Sequence, residues 1–373
     1  MAERQSKLLG VACVLLALAS CRSSRLDDRI PFRKSEKKMN LSRTDFAILP
    51  GWQNDDPSDA LSAFKKSCVR IMSEGDFVAS SQIVISADFM KSACAAAPSE
   101  ETPGAARAYF EFWFDPYMVS TIDGRMTGTV TSYYESELEG DVEPSCDYLT
   151  PIYGKPSDLN GGKYFTRKQI ENGAIRDRAP VLFWAKNPSD VHILHIQGSG
   201  IVRSPKGRAY RIGYAGNNGY SFSGIGSILQ RHGIRPGKGY SMIGVKEWLD
   251  ENPERARALM QENQRFIFFR DIVGDGPVGA MGVPLTPGRS IAVDPEYIPL
   301  GLPLFLAAKD PDGEKIERLV VAQDTGSAIK GVIRADYFWG SGNQAFDKAG
   351  RMNSEGSYYI LLPKEGKNFA VKK

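Results

Sequence analysis

Residues 318–342 read RLVVAQDTGSAIKGVIRADYFWGSG, and the division of this stretch decides the fold. The apolar run Leu319-Val320-Val321-Ala322 has the length and β-branched content of a buried strand, and it delivers Gln323 and Asp324 into a turn containing Gly326. Residues 331–337 read as a second strand that brings back Asp336. Two carboxylates twelve residues apart across such a return can face one cleft. Phe338, Trp339 and the neighbouring glycines would give Asp336 an apolar wall. Such a wall raises a carboxyl pKa from the reference of about 3.9 toward a value suited to donating a proton. The same residues also fit a structural arrangement, with Asp324 bonded inside its turn and Asp336 paired to Arg334 or Lys330 on a solvated strand.

Upstream, residues 281–303 read MGVPLTPGRSIAVDPEYIPLGLP. Pro and Gly break this apolar run at intervals that force turns between short strands, as in small closed β-barrels. Asp294-Pro295 starts one such turn, so Asp294 is read as structural. Residues 131–140, TSYYESELEG, alternate aromatic rings with hydroxyls and carboxylates. Tyr133 and Tyr134 could stack on sugar rings beside Thr131, or Tyr133 could simply bury one face of a strand. Residues 195–200, HIQGSG, and 210–220, YRIGYAGNNGY, are glycine-rich but lack Walker spacing and a dinucleotide fingerprint after a strand. Gln197 and Ser199 could hydrogen-bond saccharide hydroxyls or acetamido groups, with plain glycine turns as the alternative.

Around these segments lies a mainly β pattern with peripheral helices. Strands are expected over 125–134, 181–185, 191–197, 200–203, 209–214, 266–270, 290–293, 303–306, 318–323, 331–337 and 358–362. Helices are expected over 59–72, with Leu61, Phe64, Val69 and Met72 as the apolar stripe and Ser58 as N-cap, and over 103–114, 222–231, 241–252 and 253–261.

The N-terminus sets the compartment. Arg4 and Lys7 precede an apolar run, residues 8–19, too short to span a bilayer, which ends Leu18-Ala19-Ser20-Cys21. This resembles the lipobox of bacterial lipoproteins, in which Cys21 would carry lipid, and Arg22 after it, by similarity to sorted lipoproteins, favours the outer membrane. Residues 22–40 are basic and without apolar period, as expected of a flexible tether. Cys68, Cys94 and Cys146 then remain in an oxidising compartment, where one disulfide can form, Cys68 and Cys94 being neighbours in one segment. The 47 basic and 44 acidic residues nearly balance, which disfavours a nucleic-acid partner. With three histidines and no Cys/His spacing for a metal, no metal or cofactor is expected.

Taken in order, TSYYESELEG, HIQGSG, YRIGYAGNNG, PLTPGRSIAVDPEYIPLG and VAQDTGSAIKG with RADYFWGSG resemble the MltA family of murein-cleaving enzymes over about residues 45–365. The resemblance implies a double-psi β-barrel, residues 41–132 and 271–365, interrupted by a smaller strand-rich domain, 133–270, that forms the other wall of a glycan groove. It implies a peptidoglycan lytic exotransglycosylase, a carbon–oxygen lyase, with Asp336 catalytic and Asp324 its neighbour. Thr131, Tyr133, Tyr134, Gln197, Ser199 and Gln323 would position the glycan strand. The partners implied are peptidoglycan, a membrane reached through the Cys21 lipid, and a cell-wall remodelling complex. The chain departs from the family pattern Thr-Gly-Tyr-Tyr-Glu-Pro at Ser132 and Ser136, where a glycine's freedom and a proline's rigidity are absent.

Overall fold

The computed structural model describes residues 38–73, 78–274, 276–364 and 369–371; the signal segment, the lipobox Cys21 and most of the expected tether lie outside them. Residues Ser35–Lys373 form one compact unit. In chain order the first elements are β1 (Met39–Arg43), α1 (Ser58–Ser73), β2 (Val78–Ala79), β3 (Ile83–Ile85), α2 (Ala87–Ala95), α3 (Pro103–Trp113), β4 (Phe114–Thr121) and the long β5 (Gly128–Asp141). There follow β6 (Thr150–Tyr153), α4 (Arg167–Glu171), β7 (Val181–Ala185), α5 (Pro188–Gln197), β8 (Ser199–Arg203) and β9 (Ala209–Asn217). Then come α6 (Ile225–Arg231), α7 (Met242–Glu251), α8 (Pro253–Met260) and β10 (Ile267–Asp271). The chain finishes with β11 (Ser290–Val293), β12 (Pro303–Lys309), β13 (Lys315–Asp324), β14 (Arg334–Ser341), α9 (Asn343–Arg351), β15 (Asn353–Pro363) and β16 (Phe369–Val371). The architecture is mainly β with peripheral helices, and no helix among the described residues is long and apolar enough to cross a membrane.

Strand pairings close a circuit. β5 pairs β14 in parallel, β14 pairs β11 antiparallel, and β11 pairs β13 in parallel. β13 and β12, then β12 and β15, pair antiparallel, and β15 returns to β5. Inside and beside this circuit lies a core drawn from residues 39–130 and 291–362, including Phe64, Phe305, Leu319, Val321 and Ile360. The second half of β5 leaves the circuit to pair β8 in parallel and β7 antiparallel, around smaller cores drawn from residues 138–269. A single fourteen-residue strand thus links both regions.

Several local expectations shift. In α1 the buried stripe is Leu61, Phe64, Cys68 and Ile71, whereas Val69 and Met72 are exposed. The helix start is held by Asp56, whose Oδ1 accepts from the Ser58 backbone N–H at 3.0 Å and from its hydroxyl, so Ser58 is a donor rather than the cap. Burying Cys68 on this stripe sets it against α2, where it is bonded to Cys94, while Cys146 is free and exposed. Closing a loop of this length stabilises the fold by about 3 kcal/mol. Met39 and Asn40, read as tether, already belong to β1.

Residues 191–197, read as a strand, are helical. Pro188 sits in the first turn, Asp190 follows it, and Gly198 ends the helix at φ 79°. Val191, His192, Ile193, Leu194 and His195 are all buried, so the segment is apolar all round and its helical period is invisible in sequence.

Candidate active site

β13 and β14 do not pair with each other; β11 lies between them. Cross-strand register aligns Asp324 with Ala292, Ala292 with Asp336, and Asp336 with Thr131. Residues in register on neighbouring strands share a face, so both carboxylates and the Thr131 hydroxyl stand on one face, with the small Ala292 leaving a gap between the two acids. The backbones of Asp324 and Asp336 are two strand spacings apart, roughly 9–10 Å.

Asp336 is held on one side by Thr131, whose Oγ1 donates to its Oδ1. Arg334, two residues back on the same face, donates from Nη2 to that Oγ1 at 2.8 Å. Burial pushes the Asp336 carboxyl up to about 6; the Arg334 charge and the Thr131 hydrogen bond pull against this, and Asp324 adds to it. Asp324 is clamped by two backbone donors, Ala280 at 2.8 Å and its own neighbour Thr325 at 2.9 Å. Its carboxyl too is raised by burial, against those two donors and the nearby Tyr133 hydroxyl.

Tyr133 lies two positions from Thr131 on the same face and is buried with Leu285, Ala292, Ile329 and Phe338. Its ring centroid is 5.1 Å from that of Phe338. Its hydroxyl sits beside both acids and acts on the Asp324 carboxyl, although that contact falls short of good hydrogen-bond geometry. This cluster is the apolar wall expected of Phe338.

Trp339 does not join it. One residue out of phase, its ring packs on Tyr337, 4.8 Å between centroids, and against the cluster of Tyr134, Ile193, Ala345 and Ala349. Tyr134 therefore faces away from Asp336. Gln323 is fully buried, adjacent to Asp324 and so on the opposite face. Its side chain donates to the Ala63 carbonyl and the Ser67 hydroxyl, each at 2.8 Å, and accepts from the Ser290 hydroxyl at 2.5 Å. It ties α1 to β11.

Gln197 ends α5 and accepts from the Tyr134 backbone N–H at 3.2 Å, holding the middle of β5. Ser199 is buried at the start of β8, where its carbonyl accepts from Ser136 at 3.1 Å. Ser136, the departure from the family proline, thus fastens β5 to β8. Asp294 is structural, as read: it accepts from the Gly331 backbone at 2.9 Å and from Lys330 at 3.1 Å. The sequence reading missed Ala292 and the positioning role of Arg334. Ala292 carries no chemical signal, and Arg334 was weighed only as a direct partner of Asp336.

Two half-buried carboxyl groups share one face of a mainly β scaffold, one held up near pKa 6 by desolvation and one tethered by backbone amides. Residues 129–270 match the MltA specific insert domain and residues 289–362 the 3D domain. A membrane-bound lytic murein transglycosylase A of Vibrio cholerae is 30% identical over 239 residues, an alignment that spans 62% of this chain and 64% of that protein's length. The crystal structure of a membrane-bound lytic murein transglycosylase from Agrobacterium tumefaciens is 33% identical, with TM-score 0.79, covering 87% of this chain and 98% of that one. The crystal structure of Escherichia coli MltA with bound chitohexaose shares the fold at TM-score 0.65 and 22% identity, covering 89% of this chain and 96% of that one. The chain belongs to the MltA family.

Proposed function

We propose that this chain is a lytic transglycosylase that cleaves the MurNAc-GlcNAc β-1,4 bond of peptidoglycan. The observation that carries the reading is the row Asp324, Ala292, Asp336, Thr131 on one face, with Asp336 near pKa 6. Membership in a family whose relatives are named lytic murein transglycosylases supports it, as does the bound chitohexaose in the E. coli protein.

In this mechanism Asp336 protonates the glycosidic oxygen. As a carboxylate it then takes the proton from the MurNAc C6 hydroxyl while that oxygen closes on C1. A 1,6-anhydro sugar forms and no water is consumed. Because the nucleophile is part of the substrate, high effective molarity replaces a second catalytic nucleophile. Asp324, fixed by the Ala280 and Thr325 amides, stabilises positive charge at the anomeric carbon. Tyr133 sets its hydroxyl beside Asp324 at the sugar, and Thr131 with Arg334 aims the acid. Tyr134, Gln197, Ser199 and Gln323 support the groove from behind.

The closed circuit of β5, β14, β11, β13, β12 and β15 is read as a double-psi β-barrel of residues 41–132 and 271–365, with 133–270 inserted as the facing wall. Residues 1–21 would be the signal and lipobox, placing the enzyme on the periplasmic face of the outer membrane through the Cys21 lipid.

Asp336 must be protonated to begin the cycle. With its pKa at about 6, kcat/KM on murein is expected to fall as pH rises through about 6. A rate that stays level from pH 5 to 8 would contradict this.

The Ala280 amide depends on Gly279, where a Cβ would stand 2.5 Å from the Gln323 carbonyl and 2.6 Å from Leu285. Gly279→Ala must displace the loop that clamps Asp324. A loss of roughly ten- to a hundredfold in kcat is expected, from misplacement by a fraction of an ångström or more. Unchanged turnover of the folded variant would remove Asp324 from the mechanism.

A further inference from the structure

The described chain enters the fold at Lys38, and the next residue, Met39, opens β1 in register with Thr121 at the end of β4. The Met39 backbone N–H donates to Gln82 Oε1 at 2.9 Å. The start of β1, the β4–β5 turn and the start of β3 therefore meet where residues 1–37 join the body. Exposed apolar side chains collect at this junction. Ile122 and Met126, 59% and 50% exposed, stand on the β4–β5 turn. Val371, 40% exposed, is in register with Ile83, the neighbour of Gln82.

The turn does not need these side chains for its shape. The Thr121 N–H donates to the Arg125 carbonyl at 2.9 Å, the Gly124 N–H to the Thr121 carbonyl at 3.0 Å, and the Arg125 N–H to Thr121 Oγ1 at 3.1 Å. Gly124 takes the left-handed φ of 83° that closes it. Polar residues at 122 and 126 would keep all of these bonds and leave less apolar surface in water. The sequence that joins here is basic: Arg33, Lys34, Lys37 and Lys38 stand against Glu36 alone in the last six residues before Met39. Apolar tips beside a basic run suit an anionic bilayer, whose headgroup–acyl boundary takes the apolar atoms while its phosphates meet the cations.

We infer that the β4–β5 turn, with Val371 beside it, dips into the membrane to which the chain is tethered, Ile122 and Met126 entering the interface while the four basic residues meet anionic headgroups. The inference rests on the lipid anchor proposed at Cys21, which brings this end of the molecule to a bilayer, and not on the reaction assigned to Asp336. A lipid anchor alone leaves the orientation of the body free, and a second contact fixes it. β5 leads away from this turn, and Thr131, in register with Asp336, lies five residues beyond Met126. The acid is thus held within roughly 17 Å of the membrane-facing turn, measured along the strand.

The test places the fluorescent amino acid dansylalanine at position 122 of the full chain as cells export it. The chain is reconstituted in vesicles of phosphatidylethanolamine and phosphatidylglycerol that carry lipids brominated in their acyl chains. Quenching at 122 is expected to exceed, by about twofold or more, that at 112 and 273. Phe112 and Val273 are also exposed apolar residues, but Phe112 lies before the opposite end of β4 and Val273 follows β10. Quenching at 122 should fall in vesicles of phosphatidylcholine alone; equal quenching there would overturn the role given to the basic residues. Ile122→Asp with Met126→Asp should lower quenching of a probe at 371 about twofold, while soluble glycan fragments are cut as by the wild type, which shows the variant folded. The mass of the N-terminal peptide reports the lipid separately. An acylated chain on the vesicles whose position 122 is quenched no more than 112 defeats the inference alone. A chain without acyl mass that stays off the vesicles defeats it together with the Cys21 reading.

Discussion

Asp336→Asn should lower murein turnover by about 10²–10⁴-fold, the usual contribution of a positioned general acid, and should do so with little change in glycan affinity. The substitution keeps the shape and the Thr131 contact but cannot deliver a proton. The same variant should be more stable than the wild type at neutral pH. The folded-state pKa of Asp336 is about 6 against a model value of 3.8, so between these values the native protein binds more protons than the unfolded chain. A raised carboxyl pKa therefore costs stability as pH climbs from about 4 to 6, and the full cost, about 3 kcal/mol, is present above 6. Asn carries no charge to desolvate. Thermal melts should show the variant above the wild type at pH 7 and level with it near pH 4, the mark of an active site that trades stability for chemistry. A variant that cuts murein normally, or melts lower at pH 7, would remove Asp336 from the role of acid.

Asp55→Ala should destabilise the fold by about 3–5 kcal/mol. Asp55 and Arg289 form a buried two-pronged pair, Nη1 to Oδ2 at 3.0 Å and Nη2 to Oδ1 at 2.9 Å, with side chains 5% and 8% exposed. Asp55 also accepts from the Leu319 amide at 2.7 Å, and Arg289 donates to the Leu319 carbonyl at 2.8 Å. The loop before α1 is thereby pinned to β13, the strand that ends in Asp324. Removing the carboxylate leaves a guanidinium buried without its counter-charge, which is where most of the loss arises. Replacing both partners by apolar residues, Asp55→Leu with Arg289→Met, should recover much of it. Chemical denaturation of the single and double variants measures both effects, and a single variant within 1 kcal/mol of wild type would contradict this reading of the pair.

Much of the site was legible because chemistry and strand signals coincide in residues 318–342. The apolar run placed β13, the spacing returned Asp336, and Phe338 supplied the wall. What stayed hidden was the strand between them. β11 enters from residues 290–293, far in sequence, and nothing local announces that Ala292 will sit between two aspartates. Face assignments failed where neighbours in sequence point apart: Gln323 beside Asp324 and Trp339 beside Phe338 have the right chemistry but the wrong parity. In α5 the failure was of period, since burial on every side erases the polar face that marks a helix. The stripe of α1 was misjudged because Val69 and Met72 are apolar yet exposed, while Cys68, a weak hydrophobic signal, is held inside by its bond to Cys94.

The central claim, that Asp336 serves as acid and then base without water, is tested most directly by the products. Purified murein digested by the wild-type chain and analysed by mass spectrometry should yield muropeptides ending in 1,6-anhydro-MurNAc, each lighter by one water molecule than a hydrolytic product. Reducing ends in their place would show that Asp324 and Asp336 work as a hydrolytic pair, and intact strands that bind without being cut would show a glycan-binding protein with no catalysis.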